Sequence, residues 1–183
     1  MINNFRFELS FKDISQLEKK LNFCRLNNLN KINIPCKGII KNDFLNETVD
    51  YIGDNYKDLE VIYHYSLFHQ YSRNREYSYL KFLNFINKFN SYNNKEILLV
   101  SGSNKKKNFE VLDVLKKFKN EKDFKINIGI AYNPYLKNYY NICGERVRLE
   151  KKISSRFTRS IWLQFGTDIK LLEKEVNFLK ESI

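Results

Sequence analysis

Short apolar runs recur six times along this chain, each followed by a stretch of helical period, and this alternation restricts the fold more than any other feature. The clearest run lies in residues 95–103, KEILLVSGS, where Ile97, Leu98, Leu99 and Val100 follow one another without polar alternation. A strand buried on both faces has this pattern. It stops at Ser101, Gly102 and Ser103, small residues that bring backbone N–H groups and hydroxyls to the rim of a parallel sheet, where α/β proteins place their ligands.

The other units repeat the device. Residues 5–9 alternate around Phe5, Phe7 and Leu9, and Asp13 with Gln16 opens a helix in capping-box style that buries Ile14, Leu17, Leu21 and Cys24. A strand over 31–34 ends at Pro35, Cys36, Lys37 and Gly38 and precedes a helix with Leu45, Val49 and Ile52 on one face. Residues 60–65 form the third strand, and Tyr79, Phe82, Leu83, Ile86 and Phe89 the inward stripe of the helix after it. After 97–100 come a loop carrying Lys105, Lys106 and Lys107 and a helix with Val111, Leu115 and Phe118.

Residues 125–132 make the fifth strand, ended by Asn133 and Pro134. The following helix, from about Glu145 to Ser154, buries Ile142, Leu149 and Ile153 and gathers Glu145, Arg148 and Lys152 on a neighbouring face. The last strand, 160–165, stops at Gly166, and Asp168 starts a helix with Leu172, Val176 and Leu179 inward. Strand and helix in strict succession mean parallel strands joined by right-handed crossovers.

At 183 residues, with no Gly/Ser-rich linker, a single domain over 1–183 is expected. No apolar run approaches a membrane span and the N-terminus lacks the apolar core of a signal peptide, so the expectation is a cytoplasmic protein without a membrane partner. Cys24, Cys36 and Cys143 are too few and too scattered for a disulfide framework or a CxxC site. The net charge of +11 favours anionic ligands without choosing among them, and nucleic acid is the weaker option.

Two architectures accommodate such a chain. An open doubly wound sheet usually carries a glycine-rich phosphate loop after its first strand, and FELSFKD contains no glycine. A (β/α)8 TIM-barrel-like fold, shortened to about six β/α units, is the preferred expectation. It leaves two bare strand edges, to be covered by the last helix, by a second copy or larger partner subunit, or by segments the sequence does not contain.

In a barrel the strand ends carry the chemistry. Here they present Glu8; Cys36 and Lys37; His64 and Ser66; Ser101, Gly102 and Ser103; Tyr132 and Asn133; and Gln164. Glu8 among Phe5, Phe7 and Leu9 is open to two readings, a general acid in apolar surroundings or an ion-pairing residue at the barrel floor. His64 is either a ligand contact or a core histidine, and Gln164 suits the edge of a heterocyclic ring or a purely structural network. No metal cluster, Ser-His-Asp arrangement or Walker motif is present in the sequence.

Several of these segments, in order, resemble the methylenetetrahydrofolate reductase family, flavin-dependent (β/α)8 barrels of one-carbon metabolism. FEL resembles that family's first strand with its general-acid glutamate, YHYS at 63–66 its histidine-bearing third strand, and VSGS its Arg-Gly-Asp turn. IAYNPY is similar to its AYPE segment, and ERVRLEKKIS followed by WLQFGTD to its basic helix and substrate-orienting strand. The resemblance implies FAD as cofactor and a folate-type substrate. It implies catalytic roles for Glu8 and Gln164, and cofactor contacts from His64, Ser101, Gly102, Ser103, Tyr132, Arg148, Lys151 and Lys152. The chain departs from the family where Ser103 replaces the aspartate of the Arg-Gly-Asp turn and where the second strand reads NIPCKG. The alternative is a relative that binds flavin or folate without turnover.

Overall fold

The computed structural model describes residues 5–36, 42–92, 96–101, 109–119 and 125–182. Its strands are β1 (Phe7–Glu8), β2 (Lys31–Ile34), β3 (Glu60–Ser66), β4 (Glu96–Val100), β5 (Ile128–Tyr132) and β6 (Thr158–Leu163). The helices between and after them are α1 (Ile14–Leu26), α2 (Asn42–Asn55), α3 (Arg75–Ser91), α4 (Val111–Phe118), α5 (Tyr139–Ile153) and α6 (Ile169–Ser182). All neighbouring strands pair in parallel, in the order β1-β2-β3-β4-β5-β6. A sheet wound in one direction with crossovers of one hand carries its helices on one face, and the six strands curl into a half-barrel.

The strand register separates the two faces. Ile32, Ile34, Val61, Tyr63, Tyr65, Ile97, Leu99, Ile128, Ile130 and Tyr132 join the main core with the helices. Ile62 and Leu98, although buried, stand apart from that cluster on the other face, together with Asn33, His64, Glu96, Gly129, Ser160 and Trp162. Aromatic rings fill much of the helix layer. Tyr65 packs against Phe82 and Phe85 at centroid distances of 4.8 and 4.9 Å, and Phe118 bridges Phe82 to Phe157.

Local sequence fixes the helix starts. Asp13 accepts from Gln16 N–H at 2.8 Å, and the Gln16 side chain reaches back to Lys12 N–H. Asn74 caps α3 through Tyr77 N–H, and Asp168 accepts from Leu171 N–H as the sequence suggests. At α4, Glu110 and Asp113 form a reciprocal capping box.

Some boundaries differ from expectation. α5 starts at Tyr139, a turn and a half before Glu145, because Asn138 caps it by accepting from Tyr140 and Asn141 N–H. β5 begins at Ile128 instead of 125, and β6 ends at Leu163, leaving Phe165 91% exposed. The expected inward stripe of α6, Leu172, Val176 and Leu179, is only half-buried, because no strand or helix follows β6 and α6 on their outer side within the described residues.

Candidate functional site

Where β4 and β5 end, a cleft of about 230 Å³ opens between α4 and α5. Its lining includes Ser101, Glu110, Ala131, Glu145, Arg148 and Lys152. Helical spacing in α5 puts Glu145, Arg148 and Lys152 on one side, the grouping legible in the sequence. Glu145 Oε1 lies 3.8 Å from Lys152 Nζ, and its other oxygen 4.0 Å from Arg148. Lys152, whose side chain is largely buried, also donates to the carbonyl of Ala131 at 3.3 Å. Ser101 Oγ accepts from Val111 N–H at 3.1 Å, which ties the end of β4 to the first turn of α4.

This arrangement can hold an anion, with a limit. The first turn of α4 is already served by Glu110, Asp113 and Ser101, so the attraction must come from Arg148 and Lys152. Those two cations share Glu145, which a bound phosphate would have to displace as counter-charge.

Of the residues singled out in the sequence, Ser101, Arg148 and Lys152 are brought together here; Gly102 and Ser103 lie outside the described residues. Lys151, one position on, turns away into a separate hollow of about 580 Å³ with Lys116, Lys119 and Arg156 at the C-terminal ends of α4 and α5. A single step along a helix rotates the side chain by about 100°, which separates Lys151 from Lys152.

Tyr132 does not open onto the mouth. It is buried under the helices, where its hydroxyl donates to Glu175 of α6, and Glu175 in turn accepts two hydrogen bonds from Arg146 at 2.7 and 2.9 Å. Burial raises the Tyr132 phenol, and the adjacent Glu175 carboxylate raises it further. Glu175 itself meets opposition to ionisation from burial, but hydrogen bonds from Arg146 and Tyr132 outweigh it and hold its carboxyl below the ordinary range.

Glu8 and Gln164 lie at opposite edges of the sheet, with the other four strands between β1 and β6. Both are exposed. The apolar enclosure expected around Glu8 does not form, because Phe7 shares the helix-side register of Ile32, Phe5 is 68% exposed and, among the described residues, no strand lies on the outer side of β1. Gln164 lies just past β6, with its N–H donating to Tyr132 O at 2.8 Å. His64 is half-buried on the helix-free face, edge-on to Trp162 at a centroid distance of 6.4 Å.

Beside His64 is a constellation that the sequence did not announce. Glu96 Oε1 accepts from both Ser160 Oγ and Trp162 Nε1, and Trp162 Nε1 lies 2.8 Å from Ser160 Oγ. All three meet over Gly129, where a Cβ would stand 2.6 Å from Glu96 Oε1 and Trp162 Nε1. The only sequence signal was the glycine inside a strand, which marks close approach of other groups. In sum, the fold and the cleft define an α/β half-barrel with an ion-paired pocket at the C-terminal ends of its central strands. No protein-family model matches the sequence, and no curated protein matches it.

Proposed function

We propose that this chain is a flavin-dependent reductase resembling methylenetetrahydrofolate reductase, and that it converts 5,10-methylenetetrahydrofolate or a related one-carbon folate adduct to the methyl form. The supporting observation is the convergence of Ser101, Arg148 and Lys152 in one cleft at the strand ends, since β/α barrels carry their cofactors at that end. The half-barrel of parallel strands in chain order is compatible with a shortened barrel of this type. FAD would supply the hydride chemistry. In this reading Arg148 and Lys152 hold its phosphates, while the roles of Glu8 as proton donor to the substrate nitrogen and of Gln164 in orienting the ring rest on the family resemblance alone, since the two stand on opposite edge strands.

A second reading, binding of flavin or folate without turnover, is favoured by the exposure of Glu8 and Gln164 on opposite edge strands. One experiment separates the two. The purified protein is reconstituted with FAD, photoreduced without oxygen and mixed with methylenetetrahydrofolate. Reoxidation that vanishes in Glu8→Gln supports the reductase. Stable reduced flavin supports binding alone; failure to retain FAD overturns the reductase, and failure to bind folate as well, measured by equilibrium titration, overturns the second reading too.

A further inference from the structure

Among the described residues, exposed large apolar side chains occur at both ends of the sheet: Phe5, Phe7, Phe23 and Leu26 belong to the first β/α unit and Leu163, Phe165 and Ile169 to the last, while Phe68, Leu80, Tyr139, Tyr140 and Val147 lie on the units between. The register puts Phe7 with Ile32 and Leu163 with Tyr132, so these two edge residues project on the helix side of the sheet. In a sheet wound in one direction, the helix after β6 lies over the position of the next strand. That helix, α6, buries only Glu175 fully, whereas α3 buries Ser78, Tyr79, Phe82, Phe85, Ile86 and Phe89. Among the described residues, no strand lies on the outer side of β6 beneath α6 and none on the outer side of β1.

We propose that a second copy of this chain closes both gaps, with β6 of one copy pairing in parallel with β1 of its partner around a twofold axis along the barrel. The two edges are complementary in the ways that matter for such a seam. All strands run in the same direction, so β6 presents one free parallel edge and β1 the other. In this pairing Phe7 of one copy meets Leu163 of the other on the helix side of the sheet, with the exposed Phe5 and Phe165 two residues from them along the chain. A single rotation satisfies both edges at once and leaves none bare, the usual logic of closed dimers. Each copy carries a net charge of +11, so association strengthens as salt screens the repulsion.

Sedimentation velocity over a concentration series tests this, with circular dichroism confirming that each variant is folded. Wild type is expected to dimerise, more tightly at high salt. Phe7→Asp and Phe165→Asp each damage both seams and are expected to raise the dissociation constant by roughly tenfold or more, while Leu80→Asp, on the exposed side of α3, leaves it unchanged. Mixing Phe7→Asp with Phe165→Asp restores one intact seam, so heterodimers are expected to form more tightly than either variant with itself. A wild type that stays monomeric throughout overturns the proposal. So does a Phe7→Asp protein that dimerises normally while Phe165→Asp does not, because that pattern belongs to β6 pairing with β6.

Discussion

Arg146 of α5 grips Glu175 of α6 with two hydrogen bonds, at 2.7 and 2.9 Å, and Glu175 is 2% exposed. The Arg146 guanidinium also stacks over Phe178, 4.0 Å from the ring centroid. A helix whose apolar stripe is only half-buried is therefore anchored by a charged pair. Removing one partner of such a pair leaves the other charge stranded. Arg146→Ala is expected to destabilise the fold by about 3 kcal/mol in urea unfolding, and α6 amides are expected to lose hydrogen-exchange protection first.

The same pair sets an acid limit. Because the Glu175 carboxyl is held below its ordinary value of 4.5, its contribution is complete above that value and is lost as pH falls through the lowered one. Stability measured from pH 7 downward is expected to decline below about pH 4.5, and Glu175→Gln, less stable at neutral pH, is expected to show a shallower decline. Equal slopes for the two proteins would remove Glu175 from this account.

Gly129 has no room for a side chain. A methyl group there would press on Glu96 and Trp162 at 2.6 Å, both of them held by mutual hydrogen bonds. Gly129→Ala is expected to cost about 1–3 kcal/mol, and to shift the emission of Trp162, the single tryptophan of the chain.

Glu145 competes with any anion for Arg148 and Lys152. Glu145→Gln is expected to tighten pyrophosphate binding by roughly fivefold, the value of one unit charge near 4 Å in water, while Arg148→Ala weakens it. Isothermal titration at two salt concentrations measures both changes. Unchanged affinity in both variants would place anion binding elsewhere.

Much of the architecture could be read directly from residue order. The uninterrupted Ile97, Leu98, Leu99 and Val100 became the central strand β4, and the alternation of runs and stripes became six parallel strands in chain order. Spacing along α5 grouped Glu145, Arg148 and Lys152 correctly, because helical geometry is local. The environment of Glu8 was not legible. Whether apolar neighbours enclose a carboxylate depends on a flanking strand, and among the described residues β1 has none on its outer side. Tyr132 was misplaced as a rim group for a related reason: strand alternation fixes that it points opposite to Ala131, but only the packing of α6 decides which side holds a carboxylate to receive its hydroxyl.

Local patterning by itself thus determined the order, type and inward stripes of the elements, since hydrophobic period and capping act over a few residues. Only the tertiary structure decided that Ser101, Arg148 and Lys152 share a cleft, that Glu96, Ser160 and Trp162 meet over Gly129, and that among the described residues β1 and β6 are the outermost strands. Those relationships join residues far apart in the chain, and they depend on strand register and sheet curl, which no local pattern encodes.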